Sequence, residues 1–137
     1  MSTSVVRAVG LTPAILDPLR AIVGAEHVLT SDGDVEPFSR DATPLFRARP
    51  DAVVLPATTA EVADILRLAT ETGTPVVPRG GGSNLAAATV AERGGIVLVL
   101  TRMTQVVEVS SDELLAVVQA GVTTSTLADA ASARGLL

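Results

Sequence analysis

Apolar positions along this chain fall into short blocks whose spacing changes character from one end to the other. From Thr12 to Val23, Leu16, Leu19, Ile22 and Val23 recur at helical spacing, with Thr12 as a capping hydroxyl, Pro13 in the tolerant first turn and Gly24 as the stop. From Thr30 to Pro50, Gly, Asp and Pro recur at short intervals, which predicts mostly loop, with Phe38 and Phe46 as apolar anchors. An apolar strand (Ala52 to Leu55), a helix (Thr59 to Thr72), a Gly73 stop and a second apolar strand (Thr74 to Val77) then read as a βαβ unit. Thr58 followed by Glu61 makes a capping box, and Val62, Ile65, Leu66 and Ala69 form one apolar stripe. These strands are continuously apolar rather than alternating, as strands buried on both faces of a parallel sheet are.

Beyond Val77 the chain enters Pro78-Arg79-Gly80-Gly81-Gly82-Ser83-Asn84-Leu85, a stretch of small residues, a Gly94-Gly95 turn and a third strand, Ile96 to Leu100. Val106 to Val109 and Leu114 to Gln119 read as two antiparallel strands joined through Ser110-Ser111-Asp112-Glu113. A last helix is predicted from about Thr126 to Arg134, with Asp129 completing a capping box. The glycine loop lies just past the carboxyl end of a strand, where open α/β sheets bind ligands. Three consecutive glycines lose much backbone freedom on folding, so they are kept where a side chain would obstruct a close approach. Successive free amides form an anion-binding concavity, and Arg79, Ser83 and Asn84 add donors suited to phosphate oxygens. A plain tight turn between two buried strands is the bland alternative, but it has no use for the Ser-Asn that follows. The run lacks the third glycine of the nicotinamide dinucleotide fingerprint, and no helix pattern opens directly after it.

At 137 residues one domain is the natural size, and 47% apolar content is ample for a core. The longest aliphatic run, Ile96 to Leu100, is too short to span a bilayer, and Met1 to Gly10 resembles neither a secretory signal nor a transit peptide, so the expected location is cytoplasmic. A net charge of −5 without Trp or Tyr argues against nucleic acid as a partner. All ten basic residues are Arg, which excludes a phosphate loop ending in Gly-Lys-Ser/Thr. With no Cys, Lys or Tyr and a single His, His27, which reads as a surface or packing residue, any chemistry falls to a cofactor or to residues outside this chain.

Phe38-Ser39-Arg40-Asp41-Ala42-Thr43, Pro50-Asp51-Ala52-Val53-Val54-Leu55-Pro56, Thr58-Thr59-Ala60-Glu61-Val62, Pro75 to Ser83, Leu100-Thr101-Arg102-Met103, Val117 to Val122 and Arg134-Gly135-Leu136 follow one another in an order and spacing that resemble the FAD-linked oxidases of the vanillyl-alcohol oxidase type. The likeness is strongest to the branch with glycolate oxidase and the D-lactate and D-2-hydroxyglutarate dehydrogenases. The resemblance implies an α+β fold, the PCMH-type FAD-binding domain. Residues 1–100 would form a first subdomain with a small parallel βαβ sheet, and residues 101–137 the start of a second, antiparallel one. It implies FAD bound non-covalently, since relatives with covalent FAD place a histidine about where Ser83 stands. The diphosphate role carries over to Pro78, Arg79, Gly80, Gly81, Gly82, Ser83, Asn84 and Leu85. The flavin-ring approach carries over to Ala87, Ala88 and Thr89, a contact from the second subdomain to Gly121, and a place near the adenine to Pro56. Relatives often have a glycine where Asn84 stands and paired glycines at Ala87 and Ala88.

The implied activity is oxidation of a small substrate, a 2-hydroxy acid such as glycolate or D-lactate, with substrate and catalytic residues in a C-terminal domain beyond this chain and possible association with that remainder. No catalytic residue and no metal ligand is assigned within these residues. Gly80-Gly81-Gly82-Ser83-Asn84 also occurs in UDP-N-acetylenolpyruvoylglucosamine reductase, the enzyme alternative, and a non-catalytic FAD-binding or structural fragment that self-associates through exposed strand edges is the alternative of another class. Asp41 with Arg40 reads as a loop-ordering pair, Arg47 and Arg49 as solvated or packed on the loop, Asp112-Glu113 as a solvated turn, and Asp32, Asp34 and Glu36 lack the calcium-loop pattern.

Overall fold

A computed structural model describes residues 10–43 and 45–136. The N-terminal stretch read for a leader, apart from Gly10, and Leu137 lie outside the described residues. Helix α1 (Pro13–Val23) carries Pro18 inside it, and Gly24 closes it with φ 91°. The Thr12 hydroxyl makes no cap bond; its carbonyl instead accepts from the Ile15 and Leu16 amides. After a 3-10 turn, Ala25–His27, strand β1 (Val28–Leu29) pairs antiparallel with β2 (Ala52–Val54). The expected loop between them contains a four-residue helix, α2 (Asp32–Val35), capped by Ser31, and a 3-10 turn, Glu36–Phe38.

Helix α3 (Thr59–Thr72) has the predicted limits. The Thr58 hydroxyl accepts from the Glu61 amide at 3.1 Å, and Gly73 ends the helix in the left-handed region. The Glu61 carboxylate reaches one residue further back than a capping box requires, to the Ala57 amide at 2.6 Å. The buried stripe turns out to be Ile65 and Ala69 with Val62 and Leu68 beside them, while Leu66 is 44% exposed.

Strands β3 (Val76–Arg79) and β4 (Ile96–Val99) complete a four-stranded sheet in the order β1-β2-β4-β3, with β2, β4 and β3 parallel. The βαβ crossover therefore skips one position, and the strand that follows the glycine loop is inserted between the two strands of that unit. Two features account for the order. Every residue of β4 is buried, which suits a strand with partners on both sides. Pro78 in β3 has no N–H for a second partner and faces solvent, which confines its strand to the edge.

Successive strand residues feed two cores. Val54, Ile96 and Leu98 pack with Leu19, Val23 and Ile65 under α1 and α3, whereas Val53, Val97 and Val99 pack with Val35 and Ala91, flanked by Phe38, on the opposite face. Phe46, the other expected anchor, is 47% exposed. Past β4, strands β5 (Val106–Ser110) and β6 (Leu115–Val118) form an antiparallel hairpin with a bulge between Val106 and Glu108. Helix α4 (Thr124–Ser132) packs against β5, and Arg134 donates to the Val109 carbonyl at 2.7 Å. This helix begins two residues earlier than predicted because Thr123, not Thr126, is the cap; its hydroxyl accepts from the Thr126 amide. The whole is a mixed α and β structure with one largely parallel and one antiparallel sheet. No helix among the described residues is long and apolar enough to cross a membrane.

Candidate functional site

The glycine loop leaves the carboxyl end of β3 and does not return to regular structure until β4. Its first residue, Arg79, is only 8% exposed. The guanidinium donates to the Arg40 carbonyl at 2.8 Å and to the Thr89 hydroxyl at 3.3 Å, and its carbon lies 5.5 Å from the centre of the Phe38 ring. Burial pushes its pKa below the ordinary guanidinium value, and the neighbouring Asp41 carboxylate opposes the shift. Arg79 thus sits behind the loop as a buried cation.

The three glycines differ in what the fold asks of them. Gly82 has φ 73°, and a Cβ there would collide with the Arg79 guanidinium, so internal packing alone requires glycine. At Gly80 and Gly81 a Cβ would meet no atom within 4 Å, and neither has a positive φ. Nothing among the described residues requires a missing side chain at these two positions; what they leave free is a bare backbone surface.

That surface borders a cavity of about 540 Å³. Gly80, Gly81 and Ser83 form one wall, Thr101 and Thr104 another, and Gly121 with Thr123, Thr124 and Ser125 at the amino end of α4 a third. Gly121 is placed there by close backbone packing: its amide donates to the Met103 carbonyl at 2.8 Å, and a Cβ would collide with the Leu100 carbonyl oxygen. Hydroxyls, backbone amides and the positive end of a helix dipole are donors for an anion, and bare glycine backbone admits a bulky one, so the residues present fit a diphosphate.

The remaining sequence-predicted positions are distributed around this cavity rather than in it. Asn84 and Thr89 are joined side chain to side chain at 3.1 Å. Leu85 is 78% exposed, Ala88 is exposed, and Pro78 faces solvent on the edge strand. Ala87, with φ 54°, lines a second cavity of about 630 Å³ together with Phe46, Val77 and Val90. Pro56 is fully buried. The expected Arg40–Asp41 pair is replaced by other partners: Arg40 lies 3.9 Å from Glu36, while Asp41 accepts from the Thr43 amide at 2.8 Å and from the Asn84 side-chain amide at 2.5 Å. Arg47 bonds Glu36 at 2.6 Å and holds that carboxyl below its ordinary pKa, and Arg49 bonds Asp32 at 2.5 Å. Sequence reasoning missed the hydroxyls of Thr101, Thr104 and Thr123 to Ser125. The run Thr123-Thr124-Ser125-Thr126, directly after Gly121-Val122, was the available signal.

Residues 50–137 match the family model described as FAD binding domain. The chain is 36% identical over 126 residues to the glycolate oxidase subunit GlcD of Bacillus subtilis, covering 92% of this chain and 27% of that protein. It is 35% identical over 124 residues to D-2-hydroxyglutarate dehydrogenase of Stutzerimonas stutzeri, covering 90% of this chain and 27% of the relative. A solved structure of p-cresol methylhydroxylase shares the fold, with a TM-score of 0.79 at 24% identity over 93% of this chain and 26% of that one. The matched residues include the glycine loop and the cavity it borders, and the chain belongs to the FAD binding domain family.

Proposed function

We propose that these residues are the FAD-binding part of a flavin-dependent oxidoreductase that oxidises a 2-hydroxy acid. The observation that carries the reading is the bare backbone of Gly80 and Gly81, which the fold does not need and which borders a cavity walled by hydroxyls and a helix N-terminus. In this reading Gly80, Gly81 and Ser83 offer amides to the diphosphate, with Gly121 and the Thr123 end of α4 closing the opposite side. Gly82, Asn84, Thr89 and Arg79 hold the loop in shape, and Pro78 and Leu85 flank it. Ala87 and Ala88 are assigned to the flavin-ring side by resemblance. Ser83 stands where covalently linked relatives place a histidine, which supports non-covalent FAD.

FAD held there would supply a hydride acceptor, and the part of these residues would be to orient it and exclude water. The substrate class rests on relatives named for glycolate and D-2-hydroxyglutarate, of whose length this chain spans 27%. Residues 1–100 and 101–137 are read as one flavin subdomain and the start of a second, with substrate and catalytic residues in a further domain and a cytoplasmic location. The exposed apolar side chains of Val107, Leu115 and Val117 on the hairpin support packing of that remainder here.

The test is FAD binding by the purified chain, followed by flavin fluorescence. Wild-type binding is expected, and Gly81→Asp, which puts a carboxylate against the diphosphate, should weaken it by at least about tenfold, roughly 1.4 kcal/mol. Equal affinity of the two proteins would remove the loop from the site.

A further inference from the structure

The side chains behind the glycine loop form a closed circuit. Arg79 donates to the Arg40 carbonyl and to the Thr89 hydroxyl; Thr89 donates to the Asn84 carbonyl oxygen; and Asn84 donates to the carboxylate of Asp41, the residue next to Arg40. Every polar group in it has the polarity its partner needs, because the Thr89 hydroxyl both accepts and donates and the Asn84 amide uses one atom each way. Asp41 is fixed in turn by the Thr43 amide, and Phe38 lies against the guanidinium. The four residues between Arg79 and Asn84 are Gly80, Gly81, Gly82 and Ser83, so both ends of this glycine-rich stretch are tied to one dipeptide some forty residues earlier.

We propose that the Arg40-Asp41 dipeptide is a brace that presets the glycine loop for its ligand, with Asp41 a positioning residue acting through Asn84. The proposal rests on the diphosphate reading of the loop. A glycine-rich segment left free would have to be ordered by the ligand itself, and ordering it beforehand removes that loss from binding. Arg79 contributes to the same presetting. As a buried cation covered by Gly82 it anchors the loop from beneath, and Asp41 supplies the compensating charge.

The test compares Asp41→Asn, Asn84→Asp and the reciprocal double variant with wild type. Asp41→Asn leaves one carboxamide oxygen to serve both the Thr43 amide and the Asn84 amide, and Asn84→Asp sets two carboxylates face to face. The double variant rebuilds the bond in reverse: the carboxamide now at position 41 donates to the carboxylate now at position 84, while its oxygen still accepts from the Thr43 amide. Backbone 15N order parameters of Gly80 to Asn84 in the FAD-free chain should fall from the rigid range, about 0.85, toward about 0.6 in each single variant and recover in the double one. The FAD dissociation constant should follow the same pattern, with global unfolding measured alongside. Single variants whose loop order parameters match wild type, or a lowered unfolding midpoint with unchanged loop order and affinity, would overturn the brace. If wild type binds no FAD, the diphosphate reading fails while the order-parameter comparison still decides the proposal.

Discussion

Gly81 and Gly82 are neighbours of identical composition with opposite reasons to be glycine, and that difference is open to measurement. Gly82 takes a left-handed φ of 73° over the Arg79 guanidinium, so Gly82→Ala meets both backbone strain and a collision with a buried cation. A loss of about 1–3 kcal/mol in stability by urea unfolding is expected. Gly81 has a compatible φ and open space, so Gly81→Ala should leave stability unchanged or raise it by about 0.4–1 kcal/mol, by restricting the unfolded chain. It should nonetheless weaken FAD binding, since its methyl group occupies the surface offered to the diphosphate. A Gly81→Ala protein less stable than Gly82→Ala would mean that the loop's geometry has been assigned to the wrong glycines.

At the scale of elements, α3 supplies the packing that holds β2, β4 and β3 in place, and two adjacent aliphatic positions at its centre separate cleanly. Ile65 is fully buried in the core shared with Leu19 and Ile96, whereas Leu66 is 44% exposed. Ile65→Ala should lose about 2–5 kcal/mol, while Leu66→Ala should stay within about 1 kcal/mol, both by chemical denaturation. The limits of α3 were legible because Thr58 and Gly73 act through local backbone chemistry, which a one-dimensional reading captures. Which face is buried was less so: Leu66 and Leu68 lie on either side of the stripe, and it is Leu68 that packs against the core shared with α1. Strand order was not carried by apolar content, since Ala52 to Leu55, Thr74 to Val77 and Ile96 to Leu100 look alike; Pro78 was the one residue that marked its strand as an edge. The glycine loop was legible as the stretch that follows β3, but its support was not, because Asp41 and Asn84 are 43 residues apart and meet only through the fold.

Across the whole molecule, structural support is uneven. The parallel sheet is covered on one face by α1 and α3 and on the other by the segment holding Val35, Phe38 and Ala91, so β2 and β4 open only with the fold as a whole. The β5–β6 hairpin has α4 against it and a second attachment where Gly121 docks on Leu100 and Met103, yet Val107, Leu115 and Val117 remain 57%, 42% and 47% exposed. A two-stranded sheet with so little cover is marginal in water and draws its order from its anchor points. The anchor at Gly121 also forms one wall of the cavity, so a ligand held there would tie the hairpin to the parallel sheet. In the FAD-free chain, the slowest-exchanging amide of the β5–β6 hairpin should therefore exchange at least about tenfold faster than those of Val53 and Val97, roughly 1.4 kcal/mol less protection, and saturating FAD should narrow the gap. Equal protection of the two sheets without ligand would show instead that the hairpin unfolds together with the parallel sheet and needs no ligand to join it.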